Sequence, residues 1–130
     1  MSFLDVDFND TFEPKVMAPG EYNLRILRAE IKTSKNTGGD YLNVQMEIVD
    51  EPEADDIYHI MMLPTSNDDI KKANKRKLAL LNFFKAFGIN PSAGMNVAEL
   101  EGQTGWAILD IEDDPEFGQR NRVKKFVAGA

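Results

Sequence analysis

Cysteine is absent from this 130-residue chain, which rules out disulfides and thiolate metal sites. Histidine is nearly absent: the single His59 stands in a strand-like apolar stretch with no serine beside it to activate. No Gly-x-x-x-x-Gly-Lys phosphate loop, Gly-x-Ser-x-Gly elbow or His-Glu-x-x-His pair occurs. Long apolar runs are missing too. Nothing approaches the roughly 18 consecutive apolar residues of a membrane helix. The opening Met1-Ser2-Phe3-Leu4-Asp5-Val6-Asp7 is acidic and lacks the apolar core of a signal peptide. These absences lead us to expect a cytoplasmic protein that is not an enzyme, needs no cofactor and does not engage a membrane.

The acidic runs are the remaining place for a metal. Asp110, Glu112 and Asp114 have the alternate spacing of a calcium loop, but Pro115 stands where that loop needs glycine. Their flanks read as strands, where an EF-hand needs helices. Asp50, Glu51, Glu53, Asp55 and Asp56 follow no ligand spacing. Both runs read as solvated turns, and no metal site is expected.

What is present is the composition of one folded domain, 42% apolar and 28% charged. Residues 1–18 have little periodicity and read as an acidic arm carrying Phe3, Phe8 and Phe12. Pro19-Gly20 then opens a strand over about 20–33, in which Tyr22, Leu24 and Ile26 alternate with polar neighbours. The phase slips at Ile26-Leu27 and continues as Leu27, Ala29 and Ile31, the mark of a β-bulge that bends a long strand. Arg25, Arg28 and Lys32 then point outward. Thr33–Asp40 is a hairpin loop with paired glycines. A second strand over 40–50 sets Leu42, Val44, Met46 and Ile48 against Tyr41, Asn43, Gln45 and Glu47. The third, over 56–63, is apolar at nearly every position, and its faces cannot be assigned by period.

A helix is expected over 67–88, capped by Ser66 or Asn67 and closed by Gly88, with Pro91 beyond. Its buried stripe reads as Leu80, Leu81, Phe84 and Phe87. Its first turns are dense in lysine and arginine and should project into solvent. Two more strands follow, over 103–112 and 119–128, the last with a second slip near Lys125-Phe126. The order β-β-β-α-β-β is that of an OB-fold, a five-stranded, partly open Greek-key barrel that often binds oligonucleotides. On this reading residues 19–130 form the OB-fold domain and 1–18 its arm.

The net charge of −7 argues against a simple nucleic-acid binder, yet the charge is unevenly placed. Acid gathers in the arm, in Asp50–Asp56 and in Asp110–Glu116. Base gathers on strand one, at the helix start and on strand five. In OB-folds the strand 2–3 face and the loops joining strands 1–2 and 4–5 make the groove. Single-strand binders combine such a positive groove with aromatic platforms. The candidates for phosphate contact are Arg25, Lys32, Lys35, Arg120, Arg122 and Lys124. Those for stacking are Tyr41, Tyr58, His59 and Trp106, although packing beneath the helix or arm suits Trp106 slightly better. The Glu112–Glu116 run beside this groove either repels DNA or shapes its edge.

Several segments carry a family likeness: Pro19-Gly20-Glu21-Tyr22, Gly38-Gly39-Asp40-Tyr41-Leu42-Asn43-Val44, Ile57-Tyr58-His59 with Leu63-Pro64, Phe84-Lys85-Ala86-Phe87-Gly88-Ile89, and Gly118-Gln119-Arg120-Asn121-Arg122-Val123-Lys124. Over Pro19 to Phe126 the chain resembles a family of small phage-encoded proteins, long catalogued as of unknown function and associated with single-stranded-DNA-binding OB-folds. The resemblance implies a single-stranded DNA partner, a role in phage replication or recombination beside proteins of those pathways, and a place in the cytoplasm of the bacterial host cell. The chain ends Lys124-Lys125-Phe126-Val127-Ala128-Gly129-Ala130, so the acidic partner-recruiting tail of better-known bacterial single-strand binders does not carry over.

The expectation is thus a non-enzymatic, largely sequence-independent single-strand binder. A protein-interaction or structural phage protein, using the acidic arm and loops on the same barrel, is the alternative. An acidic DNA mimic would suit the net charge but not the basic strands. Oligomeric state, a homo-oligomer included, stays open.

Overall fold

Strict alternation gives the second strand one apolar face, Leu42, Val44, Met46 and Ile48, and all four are buried. A half-polar strand of this kind needs one covered side, and the fold supplies it by curling the sheet on itself, with a single helix set across the gap between its edge strands. A computed structural model describes residues 2–92 and 94–128; Met1, Ala93, Gly129 and Ala130, and with them the ends of the expected arm and tail, lie outside the described residues. The strands are β1 (Gly20–Thr33), β2 (Asp40–Ile48), β3 (Ile57–Met62), β4 (Thr104–Asp114) and β5 (Gly118–Val127), with helix α1 (Ile70–Ala86) between β3 and β4. All neighbours are antiparallel, in the order β3-β2-β1-β4-β5. The protein is therefore mainly β, five strands in one sheet plus one helix. Among the described residues no ladder joins β3 to β5, so the sheet is not a closed barrel.

β1 is the shared strand. Its first half pairs with β4 and its second with β2, which requires it to bend. The bend is the slip expected at Ile26-Leu27: the register with β2 jumps between Ile26 and Arg28. Leu27 is the residue left over, and it faces solvent instead of continuing the buried face. Ala29 resumes that face, but Ile31 lies beyond the core's edge and is exposed. β5 carries the second slip one residue earlier than expected, at Lys124, where Val123 faces Leu109 and Lys125 faces Ile108.

The helix starts later than the charge pattern implied. Asp69, not Ser66 or Asn67, is the N-cap, its carboxylate accepting the Lys72 N–H at 2.7 Å. Thr65–Asp68 is held as a separate turn, because Asp68 accepts from the Thr65 N–H at 3.0 Å and from Arg76 at 3.0 Å. The other end is as expected. Gly88 takes φ 65°, and the Ile89 N–H reaches back to the Phe84 carbonyl at 2.9 Å. Phe83, absent from the expected stripe, is the most deeply buried side chain of the helix, and Leu81 is only half-buried. Both spacings fit the same period, so only the orientation of the sheet decides between them.

Phe83 fills the space between the two free edges. Its ring lies 5.4 Å from Phe84, 5.0 Å from Phe87 and 5.3 Å from Phe126 of β5. A 3-10 turn, Val97–Leu100, that the sequence did not announce drops Leu100 into the same core. Where the helix ends, its backbone lies directly on β4. A Cβ added at Gly105 would stand 2.5 Å from the Ala86 carbonyl oxygen.

The expected arm divides in two. Residues 15–17 are fastened down: the Lys15 N–H donates to the Glu53 carbonyl at 2.8 Å, and the Asn121 amide both accepts from and donates to the Met17 backbone at 2.8 Å. This strap links the β2–β3 turn to β5. Phe3, Phe8 and Phe12, before it, are exposed.

Two substitutions test this packing by denaturant unfolding. Phe83→Ala should cost about 3–5 kcal/mol through the cavity it leaves. Gly105→Ala should cost about 1–3 kcal/mol because helix backbone, not a flexible side chain, must move. A neutral Gly105→Ala would contradict the close approach of α1 to β4.

Candidate nucleic-acid interface

Because the inner face of β1–β2–β3 is spent on the core, the alternate residues form an outer face with a fixed lattice. Three cross-strand rows run over it: Lys32–Tyr41–Met62, Glu30–Asn43–Ile60 and Arg28–Gln45–Tyr58. Tyr58 and Ile60 are each 57% exposed and stand two residues apart on β3. A hollow of about 220 Å³ lies among Arg28, Glu30, Lys32, Asn43, Gln45 and Tyr58. A second, of about 560 Å³, runs from Tyr41, Ile60 and Met62 to Lys35 in the β1–β2 loop. The structure therefore brings Lys32, Lys35, Tyr41 and Tyr58 onto one surface. Arg25 lies on the same face at its edge, 2.9 Å from Glu47, and Trp106, 48% exposed, follows beyond it beside Asn23. Trp106 thus packs beneath neither helix nor arm.

His59 does not belong to this surface. Strand alternation turns it inward, where its ring meets Phe126 edge-to-face at 5.1 Å across the open seam. Burial there pushes its pKa below the ordinary value of 6.5.

Arg120 and Arg122 lie on the outer face of the β4–β5 hairpin with their charge already engaged. Arg120 is 2.7 Å from Glu112 and 3.4 Å from Asp114; Arg122 is 2.8 Å from Asp110 and 3.6 Å from Glu112. Arg122 in turn holds the Asp110 carboxyl below the usual carboxylate range. The N–H groups of Glu116 and Phe117 do the same for Asp114. With three carboxylates to two guanidiniums, this hairpin carries surplus negative charge. The pairing was legible in principle, since counting back from the turn at Asp114–Gly118 sets Glu112 against Arg120 and Asp110 against Arg122. Lys124, at the bulge, is exposed.

The β1 side has the opposite balance. Arg28 and Lys32 share the one carboxylate of Glu30, and Lys35 has no carboxylate partner among the described residues. Sequence reading turned Arg28 outward and set Asn43 and Gln45 on one face with Tyr41, but named none of them, nor Ile60, as contact candidates. Among the described residues no three His, Asp or Glu side chains are placed to hold a metal ion, and no helix is long and apolar enough to cross a membrane.

Residues 4–106 match the family described as protein of unknown function (DUF669), and the chain belongs to that family. No curated protein matches it.

The inward histidine gives a test by pH. Unfolded, His59 takes a proton near its ordinary value, while folded it does so only at lower pH. The neutral ring's stabilisation is therefore complete above about pH 6.5 and is lost as pH falls through that value toward the folded one. The lowered carboxylates titrate in a separate, more acidic window. The denaturation midpoint should fall between pH 7.5 and 5.5 in the wild type and stay nearly level in His59→Phe. An equal fall in both would show that His59 is not the buried group responsible.

Proposed function

We propose that this DUF669 protein is a non-enzymatic binder of single-stranded DNA that acts in phage replication or recombination. The polynucleotide lies across the outer face of β1–β2–β3. The strand order, with a bulged β1 shared between two hairpins and a helix across the gap, supports an OB-fold of Greek-key type whose β3–β5 seam is open. One observation carries the functional reading: Tyr58 and Ile60 stand bare beside Tyr41 on a sheet face whose nearby cations outnumber their carboxylate partners. Burying such an apolar group needs a ligand with flat faces, and the cations beside it call for one with phosphates.

In this arrangement Tyr41 and Tyr58 stack on bases, Lys32, Lys35 and Arg28 hold phosphates, and Trp106 extends the track. Arg120 and Arg122 knit the β4–β5 hairpin, and their acidic partners mark its margin. A protein-contact role is favoured by a different feature, the exposed aromatic residues of the acidic arm, and concerns a different surface.

Fluorescence anisotropy with a labelled oligonucleotide just long enough for one copy tests the assignment. Lys32→Ala or Lys35→Ala should weaken binding to every sequence and flatten the salt dependence by about 0.7 in logarithmic slope for single strands. Tyr41→Ala or Tyr58→Ala should cost on the order of 1–3 kcal/mol with the slope nearly unchanged. Arg120→Ala should leave the slope nearly unchanged because its charge is committed to Glu112. Lys71→Ala and Lys75→Ala should behave as wild type. Cations on α1 that mattered more than Lys32 and Lys35 would move the site to the helix. No binding at low salt would leave the protein-contact reading.

A further inference from the structure

Most cations of the sheet are paired within the chain, whereas two sets of opposite charge are not. The first is in the arm. Asp5, Asp7, Asp10 and Glu13 lie within ion-pair distance of no cation among the described residues. They are interspersed with Phe3, 84% exposed, Phe8, 62% exposed, and Phe12. The second set is on α1. At about 100° per residue, Ile70, Asn74, Leu78 and Leu81 line the side of the helix away from Phe83. Lys71, Lys75, Lys77 and Lys85 flank that stripe, and none of them has a carboxylate partner among the described residues. Ile70 is 89% exposed and Leu78 half-exposed. The chain thus carries an acidic ribbon studded with aromatics and a basic helix face studded with aliphatics, each lacking what the other has.

We propose that the arm of one copy docks on the outward face of α1 of a second copy. Charge complementarity selects this occupant: four unpaired carboxylates in the ribbon meet four unpaired lysines on the helix. The phenylalanine side chains would cover Ile70 and Leu78, the bare apolar groups of that face. The arm does not serve its own helix. It leaves the domain at the strap beside Glu53, where β2 ends, while α1 begins beyond the opposite end of β3, and the arm's apolar side chains face solvent. Each copy offers one arm and one helix, so reciprocal exchange closes a two-fold dimer, while one-way docking adds copies in a row. The inference stands apart from nucleic-acid binding, since it needs no ligand.

Sedimentation velocity of the full chain without nucleic acid tests it. The mean mass should rise with protein concentration at low salt. Because the pairs are exposed, association should weaken on the order of tenfold between about 0.05 and 0.5 M salt. An arm variant (Asp5→Asn, Asp7→Asn, Asp10→Asn, Phe8→Ala) and a helix variant (Lys71→Gln, Lys75→Gln, Lys77→Gln, Leu78→Gln) should each be monomeric. All eight positions are on the surface, and unchanged circular dichroism checks that the fold is kept. Mixed in equal amounts, the two variants retain one good arm and one good helix between them and should stop at dimers. A Lys124→Gln, Lys125→Gln control should assemble like the wild type. A wild type that stays monomeric, variants that still assemble alone, or a mixture that stays monomeric while the wild type assembles would each overturn the proposal.

Discussion

The sheet curls until its two edge strands face each other, but no hydrogen-bond ladder closes the gap, and aromatic rings fill it instead. Phe83 stands at the centre, within 5.4 Å of Phe84, Phe87 and Phe126, and His59 meets Phe126 from the β3 side. A residue of Phe83's size, fully buried, stabilises by about 1.5–3 kcal/mol through area alone, and edge-to-face contacts add to that. The rest of the arrangement depends on this filling. The helix must turn its phenylalanines inward, so its lysines turn outward. The sheet must turn Leu42, Val44 and Met46 inward, so Tyr41, Asn43 and Gln45 turn outward. Gly105 must lack a side chain for the helix to end where it does.

Two hairpins with the same alternation then acquire different electrostatics. On β4–β5 the register sets carboxylates directly opposite guanidiniums, and the charges cancel with an acidic excess. On β1–β2 the basic residues of β1 stand opposite Tyr41, Gln45 and, for Arg25 alone, a carboxylate, Glu47, while Arg28 and Lys32 share Glu30 of their own strand. A net charge of −7 conceals this division. Field near a surface follows local pairing more than net charge.

Much of the fold was legible because it rests on local signals. The Pro19-Gly20 turn and the paired glycines at Gly38-Gly39 bound β1, whose span over 20–33 is as expected, and the phase slip marks the bulge. Gly88 closes the helix as read. What failed was decided by tertiary contact. Leu27 and Ile31 belong to an apolar pattern but fall at the bulge and beyond the core. Phe83 and Leu81 were exchanged because a helical period alone does not say where the sheet lies. His59 could not be placed while β3, apolar at nearly every position, hid its faces. Trp106 could not be placed without the β1–β4 register. Arg120 and Arg122 were read one residue at a time, although the hairpin turn already implied their partners. The strap through Asn121 pairs residues 104 apart in sequence, beyond any local pattern.

The central claim is that the outer face of β1–β2–β3, not the helix or the β4–β5 hairpin, receives a single strand. Backbone amide shifts of the full chain, followed by nuclear magnetic resonance during titration with a short single-stranded DNA oligonucleotide, test it most directly. The account predicts dose-dependent shifts clustered at Arg28–Lys35, Tyr41–Gln45 and Tyr58–Met62, with Leu78–Ala86 unmoved. Shifts confined to α1 or to Asp110–Arg122, or none at low salt, would contradict it.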